Sequence, residues 1–135
     1  MAEPYSRIEN LYLPPELADR TRFHSEADRA VLGTIRCGVL FFMAFWSTYS
    51  RQVFAELKRV LAEMDPEGRL ELVVVDVDGC TGLDKVPEFA GMNLGAGAGE
   101  TAWVKEGRVV SVSGLGLHPE CFGPNTQALL NACRE

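Results

Sequence analysis

Two long apolar runs, each bounded by polar turn residues, predict two buried β-strands. Residues 38–45 and residues 70–77 are predominantly apolar. A strand that is apolar on both faces is typical of the centre of a sheet that is covered on both sides. Neither run reaches the roughly 20 residues that a membrane-spanning helix needs. We therefore predict two adjacent central strands of one sheet.

The segment between these runs has the period of an amphipathic helix. From residue 52 to residue 64, apolar side chains recur at intervals of three and four positions, which places them on one helix face. Asp65-Pro66-Glu67-Gly68 then predicts the end of the helix. A strand, a helix and a strand in this order form a right-handed parallel βαβ unit. The apolar positions of the helix are Val53, Phe54, Leu57, Val60, Leu61 and Met64.

The chain before the first strand predicts an arm followed by a short helix. Residues 1–20 contain several prolines and predict an irregular N-terminal arm, so the domain proper is expected over residues 21–135. Residues 25–32 predict a helix, with Ser25 as its N-cap and Asp28 in the position of the capping-box acid.

The second half of the chain predicts short elements separated by turn residues. Glu106-Gly107 lies between two apolar segments and predicts the turn of an antiparallel hairpin. In order, we predict a short helix over residues 83–90, a glycine-rich loop over 91–99, hairpin strands over 101–105 and 108–113, and a closing helix over 125–132.

This order of elements, together with three short motifs, resembles the thioredoxin superfamily over roughly residues 20–135. The motifs are Ala44-Phe45-Trp46, Val75-Asp76-Val77-Asp78 and Lys105-Glu106-Gly107-Arg108-Val109. Each motif is weak alone, and their order and spacing carry the resemblance. It implies an α/β, thioredoxin-like fold with a central mixed sheet of about four strands. There is room for a fifth strand at the N-terminus, and helices are expected on both faces.

The chain departs from this family at the positions that carry redox chemistry. Where the family has Trp-Cys-Gly-Pro-Cys, this chain has Trp46-Ser47-Thr48-Tyr49-Ser50. By the same resemblance, Phe41 stands at the position of a buried acid, and Gly99, followed by Glu100, stands near that of a cis-proline. A serine hydroxyl neither forms a thiolate at a helix N-terminus nor resolves a mixed disulfide. The resemblance thus implies the scaffold without its disulfide chemistry.

Two interpretations of the serine pair remain open. Ser47 can simply cap the helix that follows, which is a common use of serine. Alternatively, both hydroxyls and the helix N–H groups line a groove that binds a peptide, an anion or a cofactor. Trp46 and Tyr49 are expected at the same turn, where they could form an exposed contact patch.

The glycine-rich stretch is interpreted either as a flexible loop or as a partner-binding loop beside the Trp46 turn. Its G-x-G-x-G pattern before a strand differs from the dinucleotide fingerprint, G-x-G-x-x-G between a strand and a helix, so we reject a nucleotide site. Exposed backbone there would suit pairing with an extended segment. The candidate binding residues are Trp46, Ser47, Thr48, Tyr49, Ser50, Gly95, Gly97, Gly99 and Glu100.

Net charge and cysteine content bear on which binding partners and which cellular compartment the chain is expected to have. The formal net charge of -6 over 135 residues disfavours binding to nucleic acid or to an anionic membrane. Without a signal-peptide pattern, we expect a cytoplasmic protein whose four cysteines, none in a C-x-x-C pair, are reduced, although their even number permits two disulfides. Cys80 is the best candidate for any thiol chemistry. The segment His118-Pro119-Glu120-Cys121 is too small a cluster for a metal site, so none is expected.

We predict a redox-inactive, thioredoxin-like module of the chaperone or adaptor type. Its expected partner is another protein, with no cofactor, and it is expected to be a monomer or a homodimer. The alternative is a glutathione-dependent transferase-like enzyme that uses Ser47 at the helix N-terminus, although the missing cis-proline counts against it. A thiol enzyme that uses Cys80 or Cys121 ranks last, because neither has a second cysteine nearby in sequence.

Overall fold

The computed structural model describes residues 11–80, 82–89, 99–113 and 119–133. Strands and helices alternate through the βαβ unit, and the hairpin and a final helix follow. The strands are β1 (Thr21–His24), β2 (Cys37–Met43), β3 (Glu71–Asp76), β4 (Thr101–Lys105) and β5 (Arg108–Val112). The α-helices are α1 (Pro15–Ala18), α2 (Ala30–Gly33), α3 (Thr48–Met64) and α4 (Phe122–Ala132).

The strands form one five-stranded mixed sheet in the order β1-β3-β2-β4-β5. The two apolar strands are parallel neighbours, with Phe41 paired to Val74. On its other side β2 pairs antiparallel with β4, where Phe41 lies opposite Thr101, and β5 forms the outer strand of the hairpin. The predicted mixed sheet is confirmed, and the N-terminal strand for which the sequence left room is present.

Helices cover both faces of the sheet, as predicted. Because successive residues of a strand point to opposite faces, β2 contributes to two separate apolar layers. On the α3 and α4 face, the rings of Phe41 and Phe54 lie 4.8 Å apart. On the α2 face, Phe42 packs edge-on against Phe89 with ring centroids 5.3 Å apart. Phe41 and Phe42 thus hold the carboxyl end of β2 between the two helical layers, and the candidate site begins just after this end.

The predicted helix over residues 25–32 is wrong. The chain continues as a strand up to His24, and α2 is a single helical turn. Asp28, not Ser25, supports the start of this turn, because its carboxylate accepts a 2.9 Å hydrogen bond from the N–H of Ala30.

The strand β1 pairs in parallel with the edge of β3 that β2 does not occupy. Phe23 pairs with Val74, and its ring packs edge-on against Phe45 at 5.6 Å between centroids. Just beyond β1, the N–H of Ala27 donates to the carbonyl of Gly79 at 2.8 Å. A short local helix signal carries little free energy, so such tertiary contacts outweigh it.

The short helix predicted over residues 83–90 is instead a pair of 3-10 turns, Leu83–Lys85 and Pro87–Phe89. Val86 between them has an extended backbone, with φ -69° and ψ 125°. The proline that follows disfavours the helical conformation at Val86, so one continuous helix cannot form.

The described part of the N-terminal segment packs against α3. Leu11 and Leu17 are buried in the core on that face. Lys58 Nζ donates hydrogen bonds to the carbonyls of Leu11 and Tyr12 at 2.9 and 3.1 Å. The Arg20 guanidinium also forms an ion pair with Asp65, which is buried at the end of α3. The N-terminal segment is therefore attached to α3 at Lys58 and again at Asp65, just after the end of the helix.

Candidate functional site

Ser47 and Ser50 stabilise the turn between β2 and α3 by hydrogen bonds to backbone groups. The N–H of Ser47 donates to the carbonyl of Ala44 at 3.0 Å, which closes the turn. The hydroxyl of Ser47 then accepts the N–H of Ser50 at 3.1 Å, so Ser47 is the N-cap of α3. The hydroxyl of Ser50 accepts the N–H of Ala44 at 3.1 Å. Ser47 thus satisfies a backbone N–H that the helix start leaves open, whereas Ser50 satisfies the N–H of Ala44 at the end of β2.

Ser50 does not line a surface groove, contrary to the groove interpretation of the serine pair. Its exposed fraction is 0%, and its hydroxyl also lies 3.7 Å from Met43 Sδ, to which it donates. Ser50 is the third residue of α3, and this position faces the core. Ser47 is partly exposed, and its capping bond is formed.

The aromatic residues of the turn lie at the surface. Trp46 is 49% exposed and Tyr49 is 37% exposed. The indole Nε1 of Trp46 donates a 3.2 Å hydrogen bond to Oδ2 of Asp78, which follows β3. Thr48, also exposed, accepts a hydrogen bond from Arg51 at 3.1 Å. We call Trp46 and Tyr49 the aromatic patch. Both side chains are exposed, and the hydrogen bond to Asp78 orients the indole ring of Trp46.

A shallow cleft of about 350 Å³ lies beside the aromatic patch on α3. Tyr49 forms one wall, and the cleft is open to solvent. Its lining residues are Tyr49, Gln52, Val53, Glu56 and Glu120.

The segment before β4 runs close to the start of α3. Gly99 has a left-handed backbone, with φ +79°, and a Cβ on it would lie 2.5 Å from Cγ1 of Val53. Glu100 is buried, and its carbonyl accepts the N–H of Phe42 at 3.0 Å. Both residues thus lie beside the turn, but Glu100 is not at the surface. Gly95 and Gly97 lie outside the described residues.

Asp76 ends β3 and Asp78 follows it, and the two carboxylates have different surroundings. Asp76 is 3% exposed, and its carboxylate accepts the N–H of Asp78 at 2.9 Å. Asp78 is exposed and holds Trp46. The pair therefore supports the turn, and sequence reasoning missed this role because it depends on contact between two separate strand ends.

A second cleft, of about 610 Å³, opens at the carboxyl ends of β1 and β3. His24, Glu26, Asp28, Thr34 and Asp78 are among its lining residues. The carboxyl ends of parallel strands are a common place for ligand sites in α/β proteins. This cleft is not predictable from the sequence pattern, because a helix over residues 25–32 would place its lining residues differently.

The expectation that all cysteines are reduced is wrong, because Cys37 and Cys133 form a disulfide. Their Cα atoms lie 6.3 Å apart, and their sequence separation is 96. The end of α4 meets the beginning of β2 because α4 lies along the same face of the sheet as α3. No local spacing signals such a pair, since it depends on the complete fold.

The two free cysteines are poor nucleophiles. Burial, reinforced by the negative charges of Asp76 and Asp78, raises the pKa of Cys80 from 9.0 to about 12. Its thiol also lies 3.1 Å from the carbonyl of Asp76, to which it donates. Burial, followed by the charge of Glu120, raises the pKa of Cys121. Because the thiolate is the reactive form, these raised pKa values disfavour nucleophilic attack by either thiol at neutral pH.

No group of three or more histidine, cysteine, aspartate or glutamate side chains is placed to hold a metal ion among the residues that the structure describes. Within those same ranges, no helix is both long enough and apolar enough to cross a membrane. His118, part of the predicted weak cluster, lies outside them.

No protein-family model and no curated protein matches the sequence. Solved structures do match. Desulfothioredoxin from Desulfovibrio vulgaris Hildenborough, in its reduced form, is 15% identical, with 83% of this chain and 95% of that chain covered and a TM-score of 0.54. Thioredoxin from Trypanosoma brucei brucei is 14% identical, with 82% and 95% covered and a TM-score of 0.55.

A third structure concerns the thiol resolving mechanism in yeast mitochondrial 1-Cys peroxiredoxin via glutathione/thioredoxin systems. Its chain is 16% identical, with 77% of this chain and 95% of that chain covered and a TM-score of 0.54. Such low identities carry the fold and not the activity. The sheet order and these likenesses show that the chain has a thioredoxin-like fold.

Proposed function

We propose that this protein is a redox-inactive, thioredoxin-like module that binds another protein through the aromatic patch. The observation that carries the proposal is Trp46, which is half-exposed and yet held by its hydrogen bond to Asp78. Tryptophan and tyrosine are enriched at the energetic centres of protein interfaces. A side chain already fixed in place loses less conformational entropy on binding, which favours affinity.

The chemistry of the turn supports the redox-inactive part of the proposal. The hydroxyls of Ser47 and Ser50 are engaged with backbone N–H groups. Phe41, where the family resemblance implies an acid, is buried and packs on Phe54. Cys80, the nearest thiol after β3, has a pKa raised to about 12. These features favour a binding role over thiol exchange at this end of the sheet.

The proposed partner is a protein and not a nucleic acid or a membrane, because the net charge of -6 would repel phosphate groups. An extended segment suits the site, since the cleft beside Tyr49 continues the aromatic patch along α3. The cytoplasmic location and the monomeric or homodimeric state remain part of this proposal.

Affinity capture with matched variants tests the proposal. Immobilised wild-type protein, Trp46→Ala, Tyr49→Ala and Val110→Ala would be compared for the proteins they retain from a lysate of the native host. Val110 is a suitable control because it is 52% exposed and lies on β5, across the sheet from the aromatic patch. We expect a partner that wild type and Val110→Ala retain and that both aromatic variants lose.

A parallel activity assay separates the alternatives. We expect no reduction of insulin above the dithiothreitol background. Glutathione-dependent turnover that Ser47→Ala abolishes would favour the transferase alternative and contradict the proposal. Equal retention of every protein by all four immobilised forms would exclude the aromatic patch as the interface.

A further inference from the structure

The Cys37–Cys133 disulfide lies at the opposite end of β2 from the aromatic patch. Cys37 is the first residue of this seven-residue strand, and the strand leads away from it toward Trp46. At about 3.3 Å per residue, the disulfide and the turn are roughly 20 Å apart. The disulfide is therefore a separate site, and nothing proposed for the aromatic patch depends on it.

Both sulfur-bearing residues are partly exposed. Cys37 and Cys133 lie at the rim of the core and are not enclosed by it. Thiol–disulfide exchange requires an attacking thiolate to reach one sulfur atom of the bond. Partly exposed residues at the rim favour such an approach, in contrast to a disulfide sealed inside a core.

The disulfide joins α4 to the sheet at the end of the helix where other attachments are few. The first part of α4 is anchored by Thr126, whose Oγ1 accepts a 3.0 Å hydrogen bond from Nε1 of Trp103. Toward the end, Arg69 Nη2 donates to the carbonyl of Leu130 at 2.9 Å. Beyond it, Asn131 and Ala132 are exposed. Leu129 and Leu130 are also buried in the core. The helix up to Leu130 thus has contacts that do not depend on the disulfide, whereas the exposed residues after Leu130 are joined to the sheet by Cys133.

The remaining thiols cannot readily replace either partner. Cys121 precedes α4 and Cys133 follows it, so about 1.5 Å per residue over 11 helical residues separates them by more than roughly 16 Å. Cys80 lies after β3, at the end of the sheet that carries Trp46. The pairing of Cys37 with Cys133 is therefore specific, and reduction leaves two thiols that can re-form the same bond.

We propose that Cys37–Cys133 is a reversible thiol–disulfide site whose reduction by a dithiol releases the residues after Leu130, at the end of α4, from the sheet. A thiolate of the dithiol attacks one sulfur, the Cys37–Cys133 bond breaks, and a mixed disulfide forms. The second thiol of the reductant then closes its own disulfide. In total, two electrons and two protons pass from the dithiol to the protein, and Cys37 and Cys133 become free thiols. In a cytosol, disulfides that do form are usually transient or redox-sensing.

The test combines cysteine counting with hydrogen exchange on the full chain. After oxidation, alkylation under denaturing conditions should label two of the four cysteines, Cys80 and Cys121. After native incubation with millimolar dithiothreitol, all four should be labelled. Amides at the end of α4, around residues 131–133, should then exchange about tenfold faster, while those of β2 and β3 stay unchanged.

Two double variants provide matched controls. Cys37→Ser/Cys133→Ser should exchange like the reduced wild type, with or without dithiothreitol. Cys80→Ser/Cys121→Ser keeps the disulfide and should respond like wild type. The proposal is overturned if oxidised protein shows four free cysteines, or if the bond resists dithiothreitol until denaturant is added. Unchanged exchange in α4 after reduction, or global unfolding, would overturn it equally.

Discussion

The indole Nε1 of Trp46 donates a 3.2 Å hydrogen bond to Oδ2 of Asp78, and so joins the turn after β2 to the segment after β3. The two residues are far apart in sequence and meet because β2 and β3 are parallel neighbours whose carboxyl ends share one edge of the sheet. This bond gives the exposed indole a fixed orientation.

Replacing Asp78 with alanine should free the indole of Trp46. We expect its N–H to exchange with water about tenfold faster, because its acceptor is lost. The free energy of unfolding should change by no more than about 1 kcal/mol, since Asp78 is exposed. NMR of the two indole N–H groups measures this, and Trp103, bonded to Thr126, serves as the internal control. Equal exchange at Trp46 in wild type and variant would contradict the account.

The serines of the turn should differ in their contributions to stability. Ser47→Ala removes an N-cap and should cost about 1 kcal/mol. Ser50→Ala leaves the N–H of Ala44 without this acceptor inside the protein and should cost about 1–3 kcal/mol. Thr48→Ala, at an exposed neighbouring position, is the control and should change stability little. Urea unfolding gives all three values, and a harmless Ser50→Ala would refute the structural role of that hydroxyl.

Gly99 should not tolerate a side chain. Alanine there meets both a left-handed backbone and Cγ1 of Val53, so we expect a loss of about 1–3 kcal/mol. Val53→Ala should recover part of that loss in the double variant, which a double-mutant cycle would reveal as coupling. Gly123 in α4 is the control, because its Cβ would meet nothing within 4 Å. Gly123→Ala should be neutral or stabilising, and equal losses at Gly99 and Gly123 would contradict the close approach.

The buried thiol of Cys80 predicts a pH dependence of stability above pH 9. Its pKa in the folded state is raised from 9.0 to about 12, so the unfolded chain loses this proton first as the pH rises. The stabilisation is complete below pH 9 and decreases between pH 9 and pH 12, at no more than about 1.4 kcal/mol per pH unit. The difference in unfolding free energy between wild type and Cys80→Ala isolates this effect from Lys58 and Cys121. A pH-independent difference over this range would show that the thiol is not perturbed.

Features with a local period were predictable from the sequence. The apolar face of α3, including Val53 and Leu57, follows directly from helical spacing, and both residues are buried as predicted. The two apolar runs gave the central pair of parallel strands, and Glu106-Gly107 gave the hairpin. In each case the residues that form the element lie within one short window of sequence.

Features that depend on distant pairs were not predictable. Phe23 becomes part of a strand because it pairs with Val74, and Cys37 meets Cys133 across a separation of 96. In the candidate site, too, some features were predictable from local sequence and others were not. The exposure of Trp46 was expected from its place at the turn, whereas the burial of Ser50 depends on a contact with Ala44 that hydrophobicity does not signal.

The most direct test of the central claim is the dissociation constant of the captured partner for wild type, Trp46→Ala and Val110→Ala, measured by titration calorimetry at one salt concentration. Loss of an anchoring tryptophan typically costs on the order of 2 kcal/mol, which is roughly thirtyfold in affinity. We predict that Trp46→Ala weakens binding about thirtyfold with its fold intact, while Val110→Ala stays within about twofold of wild type. Wild-type affinity in Trp46→Ala would contradict the claim that the aromatic patch is the binding site.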